Sequence, residues 1–576
     1  MNLLCQKNQY LALLFLMLVG FVLRFHGIDK FGIAGDEKYS LFVSQFTAYQ
    51  GNNQKDSVRK PNGESFTAQE FWSPKGTDGF YDAIARVDTG NGAFFTYLLH
   101  WWTKLFGVSD MSLRMLPLIF TLAIVPLIFF FVKEHFGSSN LALITAGLAT
   151  ISPFYISYAQ VARNYGVLFF FALLATHWFL KLLKAEFKSS QWWLLILGYG
   201  FAAAICELNH LSTISLFFIH FIFLIIYYRK WPQFIGYALA MVIPFLTVIW
   251  WLNTEGGAYI FEYVSNSVRV YNEKAEASPY EFLSKTSFSS VVLQIRHVIS
   301  ALFIQIDGFY NHVNGKKLGV IAFAVLVGNF LVWRTSIKVN LKHTIGLISF
   351  LGLIALSRGQ QLFLPVFILN TGLSIIGLWY LLKSSDKKEF VVFILLLSLI
   401  PIVFLALYAI QDDNTFRVIT RYAGFAYAFC LILTVHIYKT LLDQKLSWKP
   451  WVWAGILLQV IYVGVLISKV YTDTQPRYFS DYPIPREENP YPIIADKIVE
   501  MAADGDTVVH PSDSFYLEDG EQIPSVIDAQ LVNFYLPKDN TTPQKIDTQE
   551  KDKVYLRKSD GSQILLFDFK GDHYRY

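Results

Sequence analysis

Residues 94–106, FFTYLLHWWTKLF, decide how the chain is threaded. The run is apolar enough to be mistaken for a membrane span, yet it carries His100, Lys104 and the adjacent Trp101 and Trp102. Rings and charges of that kind suit the headgroup level of a bilayer better than its hydrocarbon core. With this segment laid in the interface, alternate loops along the rest of the chain hold the basic residues. These are Lys133, then Lys184 and Lys188, then Arg229 and Lys230, then Arg334, Lys338 and Lys342, then Lys383, Lys387 and Lys388, then Lys439, Lys445 and Lys449. Short loops rich in Lys and Arg stay on the cytoplasmic side. Counting 94–106 as a span would put every one of them outside.

A helix needs roughly 20 apolar residues to cross a bilayer. The sequence predicts thirteen such spans, at 10–28, 115–132, 141–156, 166–183, 192–206, 211–228, 234–252, 318–333, 341–356, 363–382, 390–410, 422–442 and 451–470. A second ambiguous run, 289–306, is also read as interfacial. The run at 10–23 has only Lys7 before it in the way of charge and no small-residue cleavage site after it, so it reads as a retained anchor. The N-terminus is then cytoplasmic, and three large regions, 29–114, 253–317 and 471–576, share the outer face. Overall the chain is 54% hydrophobic, 17% aromatic and 16% charged, the balance of a polytopic helical membrane protein. Cys5, Cys206 and Cys430 are too scattered for a disulfide framework or a metal site.

The domains expected are a membrane domain over 1–470 and an outer-face tail over 471–576. The tail differs in charge, with 11 basic and 20 acidic residues in a chain of net charge +4. Helical periodicity at 493–503, a short strand at 507–510, and a hairpin of 553–558 with 563–569 about Ser559–Ser562 predict a small α/β or α+β domain. The stretch 51–79, polar and rich in Gly and Asn, reads as an insertion or a mobile loop.

Chemistry is expected to begin in residues 24–45, RFHGIDKFGIAGDEKYSLFVSQ, which set Asp36 and Glu37 just beyond the outer end of the first span. A carboxylate at the bilayer edge, partly desolvated, is a candidate base; the competing reading is a solvated loop pair. Asp88 precedes the interfacial helix, where Gly90 and Gly92 permit a turn back toward Asp36; it reads equally as a helix-capping residue. Outer helix ends also carry Arg163 with Tyr165, His210, and Arg417 with Arg421 and Tyr422. A guanidinium there can grip a phosphate with two parallel hydrogen bonds, whereas a lone one more often anchors its helix at the interface. His177 and His220 stand among bulky apolar residues and read as packing. There is no Walker A loop, zinc-protease helix or serine nucleophile elbow, and nothing points to a nucleotide cofactor or to nucleic acid. The polar mid-membrane path expected of a transporter is absent from the pattern.

Four patches resemble the polytopic glycosyltransferases of the GT-C class, in particular the bacterial relatives of protein O-mannosyltransferases (glycosyltransferase family 39) and the aminoarabinose transferases of lipid A. They are LRFHGIDKFGIAGDEKYS, FFTYLLHWWTKLFGVSDMSLRMLPLIF, ISPFYISYAQVARNYG and FRVITRYAGFAYAF. The resemblance implies a GT-C fold and, on the outer face of a bacterial inner membrane, sugar transfer from a polyprenyl-phosphate donor to a lipid, glycan or protein acceptor. Asp36 resembles the catalytic acidic residue and Glu37 its neighbour. Arg163 and Tyr165 match an Arg-x-Tyr pattern, and Arg421 with Tyr422 a later pair placed near the lipid phosphate. His210 resembles a histidine at the re-entry of the short outer loop. Where some relatives carry an Asp, this chain has Asn164 and Tyr165, which argues against a two-carboxylate metal site. Two other readings stay open: a lipid-sugar flippase, and an O-antigen ligase or polymerase using a pyrophosphate-linked donor.

Overall fold

The computed structural model describes residues 3–33, 36–47, 64–87, 92–277, 283–304, 315–356, 363–474, 478, 485–511, 514–516, 522–524 and 526–570. Helices occupy all thirteen expected segments. Eight described helices are long and apolar enough to cross a membrane: Asn8–Phe25, Asp110–Phe136, Tyr165–Leu182, Ser190–Asn209, Trp231–Leu252, Lys388–Asp412, Thr420–Asp443 and Lys449–Tyr471. A ninth span forms if Ser139–Thr150 and Pro153–Ala159, bent by 52° at their junction, count as one. The helices at Leu211–Tyr227, Gly315–Arg334, Val339–Leu356 and Phe363–Ser384 fall where the other four spans are expected.

Arg24 explains how the bent pair survives in apolar surroundings. Pro153 has no N–H, so the Ala149 carbonyl loses its helical donor, and the turn at Ile151 also takes Phe154 away from the Thr150 carbonyl. The wholly buried Arg24 donates to both, from Nη2 to Ala149 O at 2.9 Å and from Nη1 to Thr150 O at 3.0 Å. Ser152 starts the second helix by accepting the Tyr155 N–H, and Gln160 at its end donates to the His26 carbonyl at 2.8 Å. His220 is a satisfied packing residue, bonded to the Tyr199 hydroxyl at 2.8 Å and the Thr176 hydroxyl at 3.2 Å. His177 pairs with His135 at 3.1 Å.

The Ala93–Phe106 helix has 14 residues, a length of about 21 Å at ~1.5 Å per residue, too short for a hydrocarbon core of about 30 Å. Phe95, Leu99, His100 and Thr103 face the protein, while Tyr97, Trp101 and Leu105 form an exposed stripe. It is built as an interfacial helix.

The tail folds around a five-stranded sheet. In order across it lie Glu64–Ser65, Gln544–Asp547, Thr507–Pro511, Lys553–Arg557 and Gln563–Asp568. Thr507–Pro511 runs parallel to Gln544–Asp547, and the other pairings are antiparallel. The expected strand, hairpin and preceding helix (Pro490–Met501) are all present. One edge strand was not foreseen. Glu64–Ser65 comes from the first outer region, so the part of 51–79 from residue 64 onward is ordered by the tail instead of looping free. The helix Ala68–Phe71 follows behind a capping box of Thr67 and Glu70, and Trp72 Nε1 donates to the Asn533 carbonyl at 2.9 Å.

Replacing Arg24 with Leu leaves two buried carbonyls unsatisfied, at about 1–3 kcal/mol each. A clear fall in melting temperature in detergent is expected; an unchanged value would show that the bend does not need this cap.

Candidate active site

Asp36 and Glu37 are neighbours in sequence, but the start of the Glu37–Ser44 helix turns their side chains to different fates. Glu37 points inward. Its carboxylate takes two parallel hydrogen bonds from Arg114, at 2.8 Å from Nε and 2.9 Å from Nη2, and a third from the Ala162 N–H at 2.7 Å. Arg114 uses its remaining N–H groups on the carbonyls of Ile28 (2.9 Å), Phe31 (2.7 Å) and Gly32 (2.8 Å). Both residues are 2% exposed. Burial works to raise the Glu37 pKa, but Arg114 and the Ala162 N–H outweigh it and hold the carboxyl below its ordinary range.

Asp36 occupies the N-cap position without capping: its side chain accepts nothing from the helix backbone. Its carboxylate, 39% exposed, instead meets the Arg421 guanidinium in a short charge-assisted contact. Arg163 closes the other side, donating from Nη1 to the Asp36 carbonyl at 3.1 Å and the Ser40 hydroxyl at 3.2 Å. Desolvation works to raise the Asp36 pKa, but Arg421, then Arg163 and Lys38, pull it below the ordinary value, so the group is ionised at neutral pH.

The other expected residues gather unequally. Tyr165 is buried within the field of Arg421, Arg163 and Asp36. The Tyr422 ring lies 5.4 Å from the Arg421 guanidinium and 4.9 Å from the His210 ring. His210 Nδ1 accepts the Ser212 N–H at 3.2 Å, which leaves the ring proton on Nε2 as a donor. Burial, followed by the charges of Arg421, Arg163 and Arg417, lowers its pKa to about 3, so it is neutral. Arg417 is not brought to Asp36; it pairs with Asp412 at 3.0 Å and lies over Tyr408. Asp88 lies outside the described residues. Gly92 has φ +72°, the left-handed backbone that the turn before the interfacial helix requires. The Gly92 N–H and Asn164 Nδ2 both donate to the Asn209 carbonyl, at 3.1 and 2.6 Å.

Sequence reasoning missed Arg114, Lys38, Ser40 and Gln160. Arg114 left one signal, as the sole cation in SDMSLRMLPLIF at the head of a long apolar run, the same mark that any interfacial anchor leaves. Among the described residues, no three His, Cys, Asp or Glu side chains come together as a metal-ligand set.

Residues 91–251, which include Arg114, Arg163, Tyr165 and His210, match the family model described as dolichyl-phosphate-mannose-protein mannosyltransferase. Over that span the chain resembles this mannosyltransferase family. No curated protein matched. Among solved structures, the oligosaccharyltransferase AglB of Archaeoglobus fulgidus, in complex with an inhibitory peptide and a dolichol-phosphate, aligns at 12% identity and a TM-score of 0.45. That alignment covers 94% of this chain and 61% of the archaeal one, so the chain spans about three fifths of that protein's length. ArnT of Cupriavidus metallidurans aligns in the apo state at 12% identity and a TM-score of 0.37, over 93% of this chain and 86% of ArnT. Its complex with undecaprenyl phosphate aligns at 15% and 0.32, over 74% and 77%.

Removing one partner of a buried, hydrogen-bonded ion pair costs about 3–5 kcal/mol. Glu37→Gln is therefore expected to destabilise the protein by that order, and more than Asp36→Asn does, in detergent unfolding. The sign of the pH dependence follows. Glu37 stabilises the fold above its ordinary pKa of 4.5 and loses that contribution as pH falls through its lower folded value. Below pH 4.5 the melting temperature of the wild type should drop more steeply than that of Glu37→Gln.

Proposed function

We propose that the protein transfers a sugar from a polyprenyl-phosphate donor to an acceptor hydroxyl at the outer face of a bacterial inner membrane, with inversion at the anomeric carbon. The observation that carries this reading is the Asp36 carboxylate in contact with Arg421, with Arg163 beside it on the Asp36 backbone carbonyl. The match to the mannosyltransferase family over 91–251 supports it. So does the charge pattern: Arg114 and Glu37 lie at one end of Asp110–Phe136, while Lys133, Lys181, Lys184 and Lys387 gather at the far end of that helix and its neighbours. At 27 residues this helix separates the two ends by about 40 Å, at ~1.5 Å per residue. In this topology the N-terminus is cytoplasmic and the tail is outside.

In the resting site the arginines satisfy Asp36 and make it a weak base. A donor phosphate competes for the same guanidinium groups and offers two oxygens that one guanidinium fork can bind together. As Arg421 and Arg163 turn to the phosphate, the carboxylate loses their charge and its basicity rises where it is needed. The acceptor oxygen then attacks the anomeric carbon, its proton passes to Asp36, and the bond to the phosphate oxygen breaks with its electron pair left on the phosphate. The two arginines, with the His210 Nε2–H nearby, stabilise the charge that develops there. In this scheme Glu37 is a positioning residue, because its oxygens are already taken by Arg114 and Ala162.

The test is release of free lipid phosphate by purified protein from a panel of undecaprenyl-phosphate monosaccharides, with acceptor extracts supplied. Asp36→Asn is expected to lower kcat by about 10²- to 10⁴-fold while the protein stays folded. Arg421→Lys, which keeps the charge but loses the fork, is expected to cost about 10²- to 10³-fold. Release that is indifferent to Asp36→Asn would overturn the assignment. So would an absence of release with every donor, alongside translocation of the labelled lipid across liposomes.

A further inference from the structure

We infer that the root of the outer-face tail positions Asp36, through an Asp473–Arg486 ion pair that grips the Gly32 carbonyl together with Arg114. This rests on the reading of Asp36 as the base. Gly32 lies four residues before Asp36, and its carbonyl is shared by two buried guanidinium groups: Arg114 Nη2 at 2.8 Å and Arg486 Nη1 at 3.3 Å. The Gly32 N–H donates to the Glu487 carbonyl at 2.7 Å, so the tail root holds this residue by both backbone groups. The approach is close: a Cβ at Gly32 would stand 3.1 Å from Glu487 O and 3.4 Å from Asn489 Cα.

Arg486 is itself fixed. Its backbone N–H and Nε donate to Asp473 Oδ2 at 2.7 and 3.1 Å, and Nη2 donates to Oδ1 at 3.0 Å. Both side chains are at most 3% exposed, and the guanidinium lies 5.3 Å from the Phe31 ring centroid. A second tie runs to the Arg114 helix. Asn489 Nδ2 donates to both Asp110 oxygens, at 3.1 and 2.9 Å, and the Tyr535 hydroxyl donates to Asp110 Oδ1 at 2.6 Å. A third comes from the last span, where Lys30 Nζ reaches the Tyr471 carbonyl at 3.1 Å and the Tyr471 hydroxyl reaches the Leu23 carbonyl at 2.6 Å.

The tail thus holds the segment that carries Asp36 and the helix that carries Arg114, whereas Arg163 stands in the short connection between Pro153–Ala159 and Tyr165–Leu182, and Arg421 in the first turn of Thr420–Asp443. Loosening the tail root shifts the base relative to the phosphate-binding arginines. A misplacement of about 1 Å costs on the order of 10²-fold in rate.

The experiment uses the full-length protein and an Asp473→Asn/Arg486→Gln double variant, which removes both charges and strands neither. Gly32→Ala serves as an independent disturbance of the same contact. Two readouts are taken: amide hydrogen exchange, and kcat and KM for the donor. The expected result is faster exchange over 28–33 and 36–47, unchanged protection of the 553–568 hairpin, kcat lower by about 10- to 100-fold, and donor KM within about threefold. Unaltered exchange over 28–47 and unaltered kcat overturn the proposal, as does deprotection of the hairpin as well, which makes the pair a general prop of the tail. If the wild type transfers no sugar at all, the glycosyl-transfer reading fails, and exchange over 28–47 alone decides whether the tail braces this segment.

Discussion

All five N–H groups of Arg114 are consumed within one buried cradle: two on the Glu37 carboxylate and three on the carbonyls of Ile28, Phe31 and Gly32. A guanidinium has no further donors, and a carboxylate held by two arginine bonds and the Ala162 N–H has little capacity left. Desolvating two charges is affordable in such a place only when their hydrogen bonds are complete. The cradle fixes the path of the chain as it leaves the first membrane helix, and that path sets where Asp36 can stand.

Around this fixed point the four sequence patches are laced together by short hydrogen bonds. Gln160 holds His26, Ala162 holds Glu37, and Arg163 holds both the Asp36 carbonyl and Ser40. Asn164 and Gly92 meet at the Asn209 carbonyl, and Arg421 reaches in from the far end of the sequence. What results is an Asp36 carboxylate that is ionised, partly exposed and paired with a guanidinium group. Its neighbour Glu37, of the same chemical type, is locked out of reaction by geometry. Two adjacent carboxylates are thereby given separate surroundings, one buried on Arg114 and one part-exposed against Arg421.

The membrane frame was legible because hydrocarbon imposes length and apolarity on every span. The interfacial helix at Ala93–Phe106 was legible from His100, Lys104 and the tryptophan pair, and the tail hairpin from its two-residue period. Asp36 stood out as a carboxylate at a bilayer edge. The division of labour between Asp36 and Glu37 was not readable, since it depends on which way one helical turn faces and on an arginine 77 residues away. Arg114 itself looked like any interfacial anchor. Arg417 carried the same mark as Arg421, and only the folded chain separates them, by giving Arg417 to Asp412. The strand at Glu64–Ser65 is two residues long, and its existence depends on a partner at Gln544–Lys545 near the other end of the chain.

That strand carries a consequence for biogenesis. Chains emerge from the ribosome in order and membrane helices insert as they appear, yet Glu64 and Ser65 cannot be paired until Gln544 and Lys545 have been made. Contacts of such long sequence separation form late. During nearly all of synthesis, the segment downstream of Asp36 therefore waits without its sheet, and the arginine from the tail root has not yet arrived. A half-made chain already embedded in the bilayer holds its acidic pair in an unfinished frame. The short strand at Glu64–Ser65 thus joins its sheet only after residues 544 and 545 have been made.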